Sequence, residues 1–138
     1  MPALIYPNSG ALWLAAVVQT ALAASELHLF QVSMPELNEA TDIGTLASNE
    51  ADYTGYAFAA LATWFDPLLN PAGGASIESG LQQFAIASPY TVPNVISGWW
   101  VQDSGGDLVC AGNFADDKPL AGAGDGIPMN VELIFGGS

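Results

Sequence analysis

The chain has 138 residues, of which 51% are hydrophobic and 11% charged, and fourteen carboxylates against one lysine and no arginine give a formal net charge of -13. This charge repels phosphate groups and anionic lipid, and no arginine can hold a phosphate through paired hydrogen bonds, so we expect neither nucleic acid nor a membrane as a partner. The single cysteine, Cys110, excludes an intrachain disulfide and a multi-cysteine zinc site, and the length predicts one domain over residues 1–138.

An apolar helix at residues 9–24 is the first predicted element. Asn8 or Ser9 can cap its first turn, and apolar side chains surround nearly the whole helix, which predicts burial on more than one side. The segment before it contains two prolines and no positive charge, so we expect no secretory signal there. Gln19 and Thr20 interrupt the apolar run, which is also too short to span a membrane.

A predicted strand follows the helix and leads into a long acidic segment. Residues 27–32 read as a short extended run that ends before Pro35. Residues 33–52 are polar and acidic with no periodicity, so we expect a long surface loop, of the kind that is functional or held by a neighbour. Residues 55–65 alternate aromatic and small side chains, which predicts a second strand.

Short strands at close spacing are predicted for the second half of the chain. They are bounded by prolines and glycine-rich turns, and fall at residues 81–87, 95–102, 107–114 and 127–135. The best-supported pair lies within residues 97–114, where Gly105 and Gly106 can supply the positive φ of a tight hairpin. We therefore predict a mainly β fold, an antiparallel β-sandwich or barrel of about six to eight short strands with one N-terminal apolar helix.

Few residues of this chain could carry catalysis. General acid–base or nucleophilic chemistry needs a nucleophile, a base and a charge-stabilising group within hydrogen-bond reach, whereas the sequence holds one histidine, one cysteine and one lysine. A pair of His28 and Cys110 is conceivable, but both residues fall inside predicted strands, where a histidine is more often structural or solvent-exposed. We expect no enzymatic activity, no catalytic residue and no cofactor.

Carboxylates in and near turns are the remaining candidates for chemistry. With backbone carbonyls they could bind calcium, or a pair of them could act as in a glycosidase, but their spacing does not match a calcium-binding loop. We expect solvated turn acids and no metal site. Residues 122–126 are rich in glycine but lack the lysine and following helix of a phosphate-binding loop, so we expect a flexible loop there. The carboxylates concerned are Asp103, Asp107, Asp116, Asp117 and Asp125.

The aromatic content favours a protein that assembles with others. Four tryptophans, four tyrosines and six phenylalanines exceed the needs of one small core, and aromatic residues commonly anchor interfaces. The predicted strands also lack the lysines that keep an exposed sheet edge from pairing with another chain. The opposing interpretation, that Trp13, Trp64 and Trp99 fill the core, stays open. The candidate assembly contacts are Trp13, Trp99, Trp100 and Phe135.

The order of these segments resembles that of small structural proteins of tailed bacteriophages. The resemblance is carried by the apolar helix, the LHLFQ strand, the acidic segment and the GYAFAAL segment. Its most specific part is residues 98–114, GWWVQDSGGDLVCAGNF, which contain a G-[YW]-[YW]-V-x-D-x-x-G hairpin. The resemblance implies a virion component that is made in the host cytoplasm and assembled without secretion, and it assigns no catalytic residues.

Three functions of different classes are consistent with these features. The first is a capsid cement or decoration protein, which would bind the major capsid protein in the assembled shell and also itself, with a trimer favoured. The second is a structural component of the tail, neck or fibre of the virion. The third is a small carbohydrate-binding β-sandwich, in which Trp99 or Trp100 would stack on a sugar ring.

Overall fold

The computed structural model describes residues 8–69, 74–86, 94–120 and 125–135. Within these ranges the strands form antiparallel sheets of four, three and two strands, none of which closes into a barrel. The predicted mainly β, antiparallel fold with one N-terminal helix is confirmed, with nine strands among the described residues. In chain order the elements are α1 (Asn8–Ala21), β1 (Ser25–Gln31), α2 (Ile43–Ser48), β2 (Ala59–Leu61), β3 (Leu68–Leu69), β4 (Ala75–Glu78), β5 (Gln82–Ala85), β6 (Asn94–Gln102), β7 (Leu108–Leu120), β8 (Gly126–Met129) and β9 (Glu132–Phe135).

The described residues divide into two compact units that differ in charge. We call the first the apolar unit, formed within Met1–Ala24, Leu61–Leu81 and Asn130–Ser138, and the second the acidic unit, formed within Ser25–Ala60 and Gln82–Met129. Three of the fourteen carboxylates lie in the apolar unit, and the other eleven lie in the acidic unit with the single lysine. This division does not test the expectation of one domain over residues 1–138, which stays a prediction.

The apolar unit consists of a three-stranded sheet, ordered β3-β4-β9, on which α1 packs. The buried side of α1 consists of Ala11, Ala15 and Leu22, and the two alanines let the helix approach the sheet closely. Trp13 and Val17 lie on the opposite side of the helix and are 67% and 47% exposed. Gln19 of α1 also donates from its Nε2 to the carbonyl oxygens of Trp64 and Phe65, so the helix contacts the segment before β3 as well as the sheet. The prediction that α1 is buried on more than one side fails at the side that carries Trp13 and Val17.

The hairpin predicted within residues 97–114 is present as β6 and β7, with β7 continuing to Leu120. Asp103 closes its turn, since the Asp103 Oδ1 accepts the N–H groups of Gly105 and Asp107, both at 2.9 Å. Gly106 has a φ of 86° and supplies the left-handed conformation of the turn, whereas Gly105 does not have a positive φ.

Both faces of the four-stranded sheet of the acidic unit, ordered β2-β1-β6-β7, carry buried side chains. Residues directly opposite each other on neighbouring strands point to the same face, and successive residues of a strand point to opposite faces. The register therefore decides which side chains can meet. One face holds His28, Trp100 and Ala111 side by side, and the other holds Leu27, Val101 and Cys110.

A short helix interrupts the acidic segment, which was expected to be a loop without periodicity. Asp42 caps α2 by accepting the N–H of Thr45 at 2.8 Å, and the helix buries Leu46 completely. Leu46 joins Phe30 and Trp100 in the hydrophobic core of the acidic unit. The expectation for residues 33–52 is corrected because this single leucine and the aspartate cap stabilise a helical turn too short to show a period.

Two predicted strands have different extents in the structure. Residues 55–65 contribute only β2 and an isolated bridge at Trp64, rather than one continuous strand. Residues 127–135 form two strands, because β8 pairs with β5 whereas β9 pairs with β4. Between them the N–H of Val131 is bonded to the Ser79 Oγ at 2.8 Å, which turns the chain toward its second partner.

Candidate functional site

A cluster of stacked and hydrogen-bonded polar and aromatic side chains surrounds His28, near the middle of β1. The imidazole of this 6%-exposed residue lies between two aromatic rings. The Trp100 ring is stacked on it at 4.6 Å between centroids and 11° between planes, and the Phe58 ring at 4.8 Å and 24°. Trp100 reaches His28 because the two residues are cross-strand partners on one face of the sheet.

Each ring nitrogen of His28 faces a carboxylate. The Nδ1 lies 2.5 Å from the Glu50 Oε1, and the Nε2 lies 3.1 Å from the Glu26 Oε2. An ionised carboxylate can only accept a hydrogen bond, so both contacts are satisfied when both nitrogens carry a proton. His28 is then an imidazolium held between two anions and two aromatic faces, which attract a cation.

Further hydrogen bonds fix the position of Glu50, which lies just after α2. Tyr56 donates its hydroxyl proton to the Glu50 Oε1 at 2.7 Å, and the same hydroxyl accepts the N–H of Leu29 at 3.2 Å. The Glu50 carbonyl accepts the Nε2 of Gln31 at 2.7 Å. These bonds tie the segment after α2 to β1.

Glu26 is held in a similar way by Gln102 of the neighbouring strand β6. Gln102 donates from its Nε2 to the Glu26 Oε2 at 3.0 Å and accepts the indole N–H of Trp100 at 3.1 Å. Trp100 therefore contacts His28 by stacking and contacts Glu26 through one intervening amide. The cluster, defined as His28, Glu26, Glu50, Tyr56, Phe58, Trp100 and Gln102, is called the His28 cluster below.

The protonation states follow from these contacts. Burial lowers the pKa of His28, but the hydrogen bonds and charges of Glu50 and Glu26 outweigh it, so the pKa is raised above the ordinary 6.5. Burial raises the pKa of Glu50, but the bonds from His28 and Tyr56 outweigh it, so the pKa lies below the ordinary 4.5. Burial, more than any contact, raises the pKa of Tyr56. Both shifts favour the ion pair of a protonated His28 with an ionised Glu50.

The arrangement favours a structural role for His28. Both ring nitrogens are already bonded to carboxylates, so neither is open to a metal ion or to a substrate proton. Cys110 lies opposite Val101, on the face of the sheet that His28 does not occupy, so the conceivable Cys110–His28 pair is excluded by the register. The described residues contain no group of three side chains suited to holding a metal ion.

Cys110 is predicted to react slowly with thiol reagents. Burial raises its pKa to about 11 from the ordinary 9.0, so the reactive thiolate at pH 8 should be roughly a hundredfold less abundant than in a free cysteine. The measurement is the rate of labelling by a maleimide or an aromatic disulfide in the folded protein, with the urea-unfolded protein as the control. Labelling of the folded protein at the unfolded rate would contradict the prediction.

The four candidate assembly contacts are placed differently from one another. Trp13 is 67% exposed, whereas Trp100 is 1% exposed and so is not at the surface, because it is stacked on His28. Trp99 is half-buried, with its indole lying close over Gly112 of the next strand. Phe135 is half-buried at the end of β9, opposite Ala75. The opposing interpretation placed Trp13, Trp64 and Trp99 in the core. Trp64 is buried, whereas Trp13 is not.

The candidate turn acids do not converge. Asp103 and Asp107 belong to the hairpin turn, and Asp116 and Asp117 lie exposed on the edge strand β7. The Nζ of Lys118 lies 5.9 Å from the centroid of the Phe114 ring, and no carboxylate among the described residues is within 4.0 Å of it. Of the glycine-rich residues 122–126, residues 122–124 lie outside the described residues.

The sequence contained a signal for part of the His28 cluster and for little of the exposed apolar surface. Glu26 and His28 are two residues apart on a strand, which places them on one face. Glu50 and Phe58 come from segments with no such spacing. Five further exposed apolar side chains of the apolar unit were not singled out from the sequence: Phe65, Leu68, Leu69, Leu81 and Ile134.

In the described part of the chain no helix combines the length and apolar character needed to cross a membrane. Comparisons with models of protein families, with curated proteins and with solved structures find no match to this chain. The function is therefore argued from the chain's own residues.

Proposed function

We propose that this chain is a structural protein of a tailed-bacteriophage virion, and that it acts at the assembled shell as a cement or decoration protein. One observation carries the proposal: seven large apolar side chains of the apolar unit are between 47% and 68% exposed. These are Trp13, Val17, Phe65, Leu68, Leu69, Leu81 and Ile134. The resemblance of residues 98–114 to phage structural proteins supplies the setting.

The exposed apolar side chains support assembly because of how they are distributed. Single exposed apolar residues are normal on a protein surface, but many within one small unit are typical of a surface that another protein covers. The apolar unit has only three charged residues, Asp66, Glu78 and Glu132, to keep such a surface soluble. A shell protein and further copies of the chain are the partners that the proposal names, with a trimer favoured.

The acidic unit supports the same proposal through its charge. Its eleven carboxylates and one lysine leave a net charge of -10 at pH 7 with His28 neutral. This charge would favour binding to basic patches on a shell and would repel unrelated anionic surfaces. In the proposed role the protein is made in the host cytoplasm, resides in the virion and performs no catalysis.

A binding experiment with assembled shells tests the proposal. Purified protein should co-sediment with shells of the phage that encodes it and should raise the temperature at which those shells release their genome. Phe65→Glu should weaken binding at least about tenfold, because it places a charge in the exposed apolar surface of the same unit. Val32→Glu is the matched control, since Val32 is 57% exposed but lies in the acidic unit.

Three outcomes would contradict the shell assignment. Shells that neither bind the protein nor gain stability would remove the cement role. Localisation of the protein to one vertex or to the tail, seen by electron microscopy of labelled virions, would favour a tail, neck or fibre component instead. Equal binding by wild type and Phe65→Glu would show that the shell contact does not include the surface around Phe65.

Carbohydrate binding is less well supported by the geometry. It would use exposed neighbouring tryptophans, but Trp100 is buried and Trp99 is packed over Gly112. The acidic unit does have a cleft of about 420 Å³. The described residues that line it include no aromatic ring on which a sugar could stack, whereas Tyr53, Phe58 and Phe84 line a second cleft of about 380 Å³ in the same unit.

A further inference from the structure

The outer side of α1 is an apolar stripe without charge. Trp13 and Val17 are four residues apart and therefore neighbours on the helix surface. They lie opposite the buried Ala11 and Ala15, and Ala16 and Thr20 beside them are exposed. The helix contains no acidic or basic residue over its whole length, Asn8–Ala21. We call this surface, defined by Trp13 and Val17, the helix stripe.

The outer face of the three-stranded sheet is a second apolar surface of the same unit. The register places Leu68, Ser76 and Ile134 side by side, so they share a face. On this face Leu68 and Ile134, which lie on the two edge strands, are 68% and 61% exposed, whereas Ser76 between them is 7% exposed. Ala75 and Ile77, which point to the other face, are fully buried. We call the exposed surface, defined by Leu68 and Ile134, the sheet patch.

Two carboxylates mark one end of the sheet patch. Glu78 and Glu132 are direct cross-strand partners on the same face as Leu68 and Ile134, and both are exposed. Asn130 donates a hydrogen bond from its Nδ2 to the Glu78 Oε1. Packing the sheet patches of two copies on each other would bring four carboxylates into one interface, and like charges at close range oppose association.

A contact between unlike surfaces avoids this repulsion. The helix stripe carries no carboxylate to oppose Glu78 and Glu132, and its apolar side chains match those of the sheet patch. Helix-to-helix contact would leave both sheet patches exposed, whereas helix-to-sheet contact covers each type of surface with the other. An anionic lipid surface is disfavoured by the net charge of -13.

We infer that copies of this chain associate head to tail, with Trp13 and Val17 of one copy packing on Leu68 and Ile134 of the next. Such a contact is heterologous, so it closes into a ring or continues as an open array, according to the rotation between successive copies. The inference names the self-contact of the proposed virion component and rests on that proposal for its setting. The contact itself is a property of the purified chain.

Complementation between two blocked variants tests the inference. Trp13→Glu blocks the helix stripe and keeps the sheet patch, whereas Ile134→Glu blocks the sheet patch and keeps the helix stripe. Sedimentation velocity should show that wild type self-associates and that each variant alone does so at least about tenfold more weakly. An equal mixture of the two variants should form a dimer, because one intact stripe then meets one intact patch. Val32→Glu has the same net charge as the variants and should associate like wild type.

The outcomes separate the possible geometries. Ile134→Glu that still dimerises while Trp13→Glu does not would show helix-to-helix contact, and the reverse would show sheet-to-sheet contact, so either result overturns the inference. A monomeric wild type at concentrations well above micromolar also overturns it. If circular dichroism shows that a variant does not fold, Val17→Glu or Leu68→Glu replaces it. Shell binding by a monomeric wild type would leave the proposed function standing while the head-to-tail contact fails.

Discussion

Replacing His28 with alanine should lower the free energy of unfolding by about 3 kcal/mol, because it removes the one cation from between two carboxylates. Glu26 and Glu50 would remain close to a buried face with no positive partner, and Trp100 and Phe58 would lose a stacked neighbour. The two carboxylates are 31% and 28% exposed, so water can solvate them in part, which keeps the loss at the lower end of the range for a broken buried pair.

The stability of the wild type should depend on pH in a way that identifies the ion pair. The raised pKa of His28 means that its stabilising contribution is complete below pH 6.5 and declines as the pH rises through the folded-state pKa. The lowered pKa of Glu50 means that its contribution is complete above pH 4.5 and declines as the pH falls through the folded-state pKa. The contribution of the pair is therefore greatest between pH 4.5 and 6.5.

Urea unfolding of wild type and His28→Ala across this pH range measures both effects. The difference in free energy between the two proteins should be largest between pH 4.5 and 6.5 and should narrow on both sides. Glu36→Gln is the control, because Glu36 is exposed and lies outside the His28 cluster. A constant difference between wild type and His28→Ala at every pH would mean that the ion pair does not contribute and that His28 acts through packing alone.

Replacing Gly98 with alanine should destabilise the fold by about 3 kcal/mol or more, because the added methyl group has no space. A Cβ at this position would overlap the backbone carbonyl of Gly112 on β7 and the ring of Phe30 on β1. The Phe30 ring could move only by disturbing the core that it forms with Leu46 and Trp100, and the carbonyl belongs to the sheet itself. Relief therefore requires a shift of the backbone at the centre of the sheet.

Gly105→Ala is the matched control for this substitution. Gly105 lies in the hairpin turn, where a Cβ would meet the Asp103 Oδ1 at 3.4 Å and the Asp107 Oδ2 at 3.9 Å, both ordinary contacts. Its φ is not positive, so alanine fits its conformation, and stability should change by less than about 0.5 kcal/mol. Thermal unfolding followed by circular dichroism compares the two variants. A Gly98→Ala protein as stable as Gly105→Ala would show that β1, β6 and β7 pack more loosely than described.

The hairpin of β6 and β7 and the helix α1 could be predicted from the sequence, because each is determined by residues that are close together in the chain. The hairpin of β6 and β7 depends on Asp103 and Gly106, which meet within one turn, and α1 depends on a continuous run of helix-compatible apolar residues. The composition likewise determined the charge and the excess of apolar residues. Strand β7 was predicted too short, because its last residues, Lys118 to Leu120, are held by pairing with β6 and have no strand pattern of their own.

The His28 cluster could not be predicted as a whole, because several of its contacts join residues that have no regular spacing in the sequence. Glu26 could be placed beside His28 from strand alternation, but Glu50 is 22 residues away from His28 and reaches it only because the chain returns along β1 after α2. Trp100 could equally have pointed outward, and its burial was decided when the register of β1 and β6 put it opposite His28. A shift of one residue would have exchanged Trp100 for a neighbour on the other face.

The sequence by itself determined a mainly β chain with one apolar helix, one well-marked hairpin, a large negative charge and more apolar side chains than one small core needs. Only the tertiary structure decided where these features lie: most of the charge is in one unit, most of the exposed apolar side chains are in the other, and residues 127–135 form two strands with different partners. The physical reason is that backbone pairing and side-chain burial join residues far apart in the chain, and composition sets how much apolar surface exists without setting which part of it is covered.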